Sequence, residues 1–177
     1  MLKNTSSSYG LISKIFHWCM SLLIISMLIV GFTMTSMENS PDKWELYSMH
    51  KATGIVVLSL VSLRFLWRLS NARLDLPTDL PLWQKVASRL THYLLYVFMF
   101  LMPISGASMC ILKGKEINVF SLFTIPALAE KNIPLAHFFN NIHEITAVVF
   151  AGLISLHIIA GLYHHFIRKD NILTRIL

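Results

Sequence analysis

Apolar residues fall into four long blocks along this chain, separated by shorter polar stretches. Each block is close to or above the roughly 20 residues that a helix needs to cross a hydrocarbon core. The pattern predicts membrane helices over about Lys14 to Ser36, Met49 to Leu69, Leu90 to Leu112 and Phe138 to Phe166. The expected architecture is all-α: a polytopic four-helix transmembrane bundle, one domain over residues 1–177. The first block follows Lys3 and Lys14 as a signal peptide would, but Ile15 to Met37 is 23 residues without a small-residue cleavage site after it. A signal core is about 7–15 residues, so this block is expected to be a retained span. Pro103 lies inside the third block with Gly106 just after it. A membrane helix tolerates such a kink because its neighbours re-satisfy the freed carbonyl. The longest connection, about Lys113 to His137, carries its own apolar pieces, Val119 to Phe123 and Ile133 to Leu135, and is expected to lie as a flap on the outer surface.

Composition agrees with a lipid environment. Hydrophobic residues make up 55% of the chain and charged ones 14%, against about 25% charged in an average soluble domain. The net charge of +6 is spread between the apolar blocks rather than gathered in one stripe, so nucleic acid is not an implied partner. Its use is to set topology. The N-terminal end, the second loop and the tail hold Lys3, Lys14, Arg68, Arg73, Lys85, Arg89, Arg168, Lys169 and Arg175. The other two loops hold only Lys43, Lys51, Lys113, Lys115 and Lys131. Nine against five places both termini in the cytoplasm. Cys19 and Cys110 lie inside apolar blocks and belong to no CxxC or CxxCH motif, so they read as packing residues.

Eight histidines remain: His17, His50, His92, His137, His143, His157, His164 and His165. A polar side chain in a span is costly and needs a reason, though for any one of these a hydrogen bond to a neighbouring helix would suffice. Depth separates them. His143 and His157 are fourteen residues apart, which at about 100° and 1.5 Å per residue puts both on one face, roughly 21 Å apart. With antiparallel spans, His17 comes level with His157 on the inner side and His50 with His143 on the outer side. Four residues after each of these comes a small residue, Ser21, Gly161, Gly54 and Ala147, leaving room for a flat ring. Small residues also pack membrane helices together. His92 rivals His17 for the inner position, with bulky Tyr96 four residues on.

Two imidazoles per site do not complete a structural zinc site. They suit the two axial positions of a haem iron, which then has no open position and favours electron transfer. The sequence therefore predicts two haem b groups, His17 and His157 holding the inner iron and His50 and His143 the outer. Arg64 stands fourteen residues after His50, at the inner depth, where it either grips a haem propionate or snorkels to the headgroups with Arg68. His164, two turns beyond His157, either hydrogen-bonds a quinone and moves its proton or anchors the helix at the interface.

With those residues placed, the chain resembles the bacterial cytochrome b561 family. The matching runs are Ile15-Phe16-His17-Trp18, Met49-His50 with Gly54 and Arg64, His92 to Tyr96, and Met102-Pro103-Ile104-Ser105-Gly106. Helix 4 adds Ile142-His143-Glu144, Leu156-His157, His164-His165 and Lys169-Asp170-Asn171-Ile172-Leu173. The resemblance implies that His17, His50, His143 and His157 are the axial ligands, that His92 is not one, and that His164 serves quinone or proton transfer. It implies a bacterial inner-membrane protein that exchanges electrons with ubiquinone, some members of the family oxidising superoxide at the periplasmic face. The tail ends at Leu177 without the basic extension of some members. The outer lysines Lys51, Lys113, Lys115 and Lys131 are placed to steer a small anionic donor such as superoxide. Another reading makes the chain a haem b anchor and electron-transfer subunit of a larger periplasmic dehydrogenase or hydrogenase. A histidine-lined metal transporter is a third, weakened by the lack of intramembrane Asp or Glu.

Overall fold

A computed structural model describes residues 1–72 and 74–177; Arg73, one of the nine inner basic residues, lies outside the described residues. Four long helices follow one another: α1 (Leu11–Ser36), α2 (Pro41–Leu69), α3 (Leu82–Leu112) and α4 (Ile133–Tyr163). A small hairpin of β1 (Ile117–Val119) and β2 (Phe123–Ile125) joins α3 to α4, and a π-helical turn, His164–Arg168, extends α4. All four helices are long and apolar enough to cross a membrane. Few of their apolar side chains are buried within the protein, and Leu22, Leu63, Val148 and Ile159 are among the many that face outward. A surface so apolar over four span-length helices is suited to lipid.

The helices run further than hydropathy predicts, α2 beginning at Pro41 rather than Met49 and α3 at Leu82 rather than Leu90. Their extra turns mix polar with apolar residues, as suits the headgroup region; α2 starts at a side-chain cap, whereas α3 starts after Pro81 with none. Ser40 Oγ accepts the Lys43 N–H at 3.2 Å, with Pro41 at the first helical position and Asp42 in the first turn. Asn132 Oδ1 accepts the Leu135 N–H at 3.1 Å to open α4. Helix α1 has no side-chain cap of its own at Gly10; instead Leu11 N–H donates to Met1 O at 3.0 Å and Gly10 N–H to Asn4 Oδ1 at 3.0 Å. That crossing passes so close that a Cβ at Gly10 would collide with the Leu2 and Lys3 backbone.

Helix α1 packs on α2, α2 on α3, and α3 on α4, whereas α4 makes no extended packing with α1 or α2. The central contact cluster is Met20, Ile24, Val57, Val61, Met99 and Phe150. Phe150 is seven residues from both His143 and His157, so this cluster sits midway between the two histidine levels of α4. Of the expected flap, Val119 to Phe123 lies in the β-hairpin, whereas Ile133 to Leu135 forms the first turn of α4, opened by the Asn132 cap and Pro134. Ile117 and Val119 are buried against Ile55 and Val56 of α2 and the end of α3, while Phe120 and Ser121 turn the chain with φ of 51° and 60°.

Candidate functional site

Imidazoles of α4 face imidazoles of α1 and α2 at two heights. At one, the His17 and His157 ring centres are 6.3 Å apart and inclined by 64°. At the other, His50 and His143 are 6.4 Å apart and inclined by 85°. Two imidazoles on opposite sides of one metal, each bonded at about 2 Å with its ring centre about 1 Å behind the nitrogen, stand about 6 Å apart. Both pairs meet that spacing.

At the His143 level, neighbouring helices set the ring by two devices. The imidazole Nδ1 donates to Met102 O at 2.9 Å, with Ser105 Oγ 3.2 Å away. Ser105 is fully buried, and its hydroxyl donates in turn to Leu101 O at 2.7 Å. A proton on Nδ1 leaves Nε2 as the nitrogen with a free lone pair, the arrangement common in metal-ligating histidines. Gly106 makes the approach possible, since a Cβ there would lie 3.0 Å from His143 Cε1 and 3.2 Å from Nδ1. Across the pair, His50 lies against Gly31 of α1, where a Cβ would be 3.5 Å from Cε1. Its buried Nδ1 finds no hydrogen-bond partner among the described residues. Around Gly54 an added Cβ would meet nothing within 4 Å.

At the other level three imidazoles gather rather than two. His92 lies 5.5 Å from His157, ring centre to ring centre, and its Nδ1 donates to Ser88 O at 2.7 Å. Arg64 Nη2 donates to His17 Nδ1 at 3.3 Å, since a guanidinium can only donate. The Arg64 and Arg68 guanidinium carbons lie 5.7 and 5.0 Å from the centre of the Tyr96 ring. Of the small residues that follow the histidines, Ser21 turns its hydroxyl back onto His17 O at 2.6 Å, and Gly161 faces Leu173, whose Cδ1 would lie 3.9 Å from an added Cβ. His164 stands apart from both pairs, its Nδ1 2.6 Å from Asp170 Oδ2.

Residues 8–177 match the model of prokaryotic cytochrome b561. The chain belongs to that family. It is 33% identical to cytochrome b561 homolog 2 of Escherichia coli (strain K12), the match covering 98% of this chain and 93% of that one. Cytochrome b561 homolog 1 of the same organism is 29% identical over 91% of this chain and 92% of its own. A probable superoxide oxidase, CybB, of Yersinia pestis is 28% identical over 91% and 90%. As a cytochrome b561 the chain is an oxidoreductase of the bacterial inner membrane, a multi-pass protein that binds haem b and transfers electrons.

The donor set fits that group: paired imidazoles at the spacing of two axial ligands, an orphaned Nδ1 on His50, and open space over Gly54. Sequence reasoning missed the residues that position these rings. Gly106 and Ser105 stand in the Pro103-Ile104-Ser105-Gly106 run, but which ring they receive depends on how α3 meets α4. Gly31, against His50, gave no periodic signal, and Asp170, in the Lys169-to-Leu173 run, gave none that tied it to His164.

Proposed function

We propose that this cytochrome b561 is one membrane domain holding two haem b groups, His50 and His143 binding one and His17 and His157 the other, and that it oxidises superoxide on the periplasmic side and reduces ubiquinone on the cytoplasmic side. The observation that carries the reading is the pair of imidazole spacings, 6.3 and 6.4 Å, at two levels fourteen residues apart on α4. When bound, each haem supplies a one-electron couple at an iron without an open coordination position. The balanced reaction is two superoxide anions, one quinone and two protons giving two dioxygen molecules and one hydroquinone.

The chain's own residues hold, orient and screen. His143 is fixed in its ligating tautomer by Met102 O. Arg64 donates to His17 Nδ1, so that ring carries its proton on Nε2; were Nε2 to hold a haem iron, the proton would sit on Nδ1 and the guanidinium would be free for a propionate. Both termini face the cytoplasm, with the excess of Lys and Arg on that side. On the opposite side Lys51, Lys113, Lys115 and Lys131 raise the local concentration of an anionic donor. Lys51 follows His50 directly in the chain and its Nζ donates to Glu116 O at 3.5 Å, while Lys115 Nζ stands 5.8 Å from the Trp44 ring centre at the start of α2. His164 meets the quinone.

Purified protein in nanodiscs, given a superoxide source and a water-soluble ubiquinone, tests the reading. It requires hydroquinone formed in a one-to-two ratio with superoxide consumed, and haem reduction without hydroquinone would refute it. One observation favours the anchor-subunit reading instead. Phe120, Leu122 and Phe123 are all exposed at the hairpin tip, Leu122 by 81%, and offer an apolar surface to a periplasmic partner. Copurification of a stoichiometric catalytic subunit would decide for it.

A further inference from the structure

Beyond α4 the chain does something an α-helix does not. His164 to Arg168 form a π-helical turn, which closes on Lys169 with φ +57°, a left-handed conformation for a residue with a side chain. Asp170 N–H donates back to His164 O at 3.2 Å. Had the α-register continued, Asp170 would lie about 240° around the helix from His164 and could not reach it. The wider turn and the reversal at Lys169 bring the two side chains together at 2.6 Å, with only 15% and 13% of their surfaces exposed. Short π-segments and left-handed non-glycine residues cluster at functional sites.

The tail has other means of holding itself. Asp170 Oδ1 accepts the Ile172 N–H at 3.0 Å, and Arg168 Nη2 donates to Asp79 Oδ2 at 2.6 Å and to Asp79 O at 3.2 Å. Arg168 Nε stands 3.0 Å from Asp170 Oδ2. Trp18 Nε1 donates to Ile176 O at 3.0 Å, and Arg175 Nη1 to Asp75 O at 2.6 Å. None of these contacts involves the His164 ring. Burial alone would raise the Asp170 carboxyl, but the Ile172 N–H, the His164 ring and Arg168 outweigh it and hold the group below the ordinary carboxylate range. It is an anion at neutral pH and can only accept.

We propose that Asp170 is the positioning residue of the quinone site: its carboxylate fixes the His164 ring with the proton on Nδ1, so that Nε2 is the nitrogen presented to the quinone oxygen. The proposal rests on the reading of His164 as the quinone-side residue. The quinone would take up two electrons from superoxide by way of the bound haems, and two protons from the cytoplasmic side, one directly from water and one through His164. For one proton, an O–H bond forms at the quinone oxygen as the Nε2–H bond of the imidazolium breaks. The ring is left neutral, still donating Nδ1–H to Asp170, and recovers its Nε2 proton from cytoplasmic water. A carboxylate behind the ring favours this cycle because it holds one tautomer through both halves.

The test combines nitrogen-15 NMR of histidine-labelled protein in nanodiscs with quinone-reduction kinetics of variants that keep wild-type haem content. In the wild type, His164 carries its proton on Nδ1; a neutral ring protonated on Nε2 would overturn the proposal without any variant. Asp170→Asn loses that signature, and its kcat for quinone reduction falls about 10- to 100-fold, the usual scale for losing an orienting partner, with KM little changed. Asp170→Glu recovers part of the rate. Asp79→Asn loosens the Arg168 contact and leaves both readouts as they were. If His164→Ala slows quinone reduction while Asp170→Asn keeps the rate and the Nδ1 proton, the positioning role fails and the His164 reading stands. If His164→Ala reduces quinone at the wild-type rate, that reading fails and takes this one with it.

Discussion

Two glycines face the outer histidine pair, and they differ by half an ångström. At Gly106 an added methyl would lie 3.0 Å from His143 Cε1, whereas ordinary carbon contacts begin at about 3.5 Å. In Gly106→Ala the ring must retreat by about 0.5 Å, as much as the whole tolerated range of an N–H···O bond. The His143 bond to Met102 O, at 2.9 Å, has no such slack to give. Met102 O would keep the Ser105 hydroxyl at 3.0 Å, but the His143 Nδ1–H would lose its carbonyl acceptor at a cost of about 1–3 kcal/mol, weakening outer-haem retention roughly 10- to 100-fold. Alanine also favours a helix over glycine by about 1 kcal/mol, so the polypeptide itself should not become less stable. The signature is therefore selective: one haem per chain by pyridine haemochrome, with unaltered thermal unfolding of the remaining protein. Gly31→Ala is the control, because its methyl would sit at 3.5 Å from His50, an ordinary contact. If Gly106→Ala retains two haems with an unshifted α-band, the proposed seating of His143 against α3 is wrong.

Three other outcomes follow from the same geometry. Arg64→Leu removes the guanidinium beside His17 and should lower retention of the inner haem about tenfold or more, as expected for a lost charged hydrogen bond; unchanged haem content would mean that Arg64 only reaches for headgroups. Lys51→Gln with Lys115→Gln should slow reduction by superoxide several-fold and flatten its dependence on ionic strength, while reduction by an uncharged donor stays the same. The tail should respond to acid with a defined sign. Asp170 is held below its ordinary value near 3.8, so its contribution to tail packing is complete above that pH and is lost as pH falls through the lowered value. Pepsin sensitivity of residues 169–177 should rise only there, and release of the tail above pH 3.8 would contradict the assignment.

Hydropathy and depth made the bundle readable because lipid imposes a length on each span and a cost on each intramembrane histidine. Counting residues brought His17 level with His157 and His50 level with His143, and those rings are neighbours. The turns at Pro41–Ser48 and Leu82–Arg89 were not readable as helix, because they lie where hydropathy falls; the Ser40 cap marks the first start, and only Pro81 precedes the second. The rule of a small residue four places on holds at Gly54, which is open, but Gly161 packs against Leu173 and Ser21 bonds its own helix. Gly106 serves a ring on another helix, and that relation exists only once α3 and α4 are packed. The Asp170 contact depends on a π-turn, whose register the 3.6-residue period cannot express.

If each histidine pair clamps one haem b, losing one imidazole from a pair costs one haem. His157→Ala, purified alongside the wild type, measures it most directly by haem count and by the near-infrared magnetic circular dichroism of bis-imidazole iron. Two haems per chain are expected in the wild type and one in the variant, with the His50–His143 signal intact and one α-band component gone. Undiminished pigment with both components unchanged would contradict it.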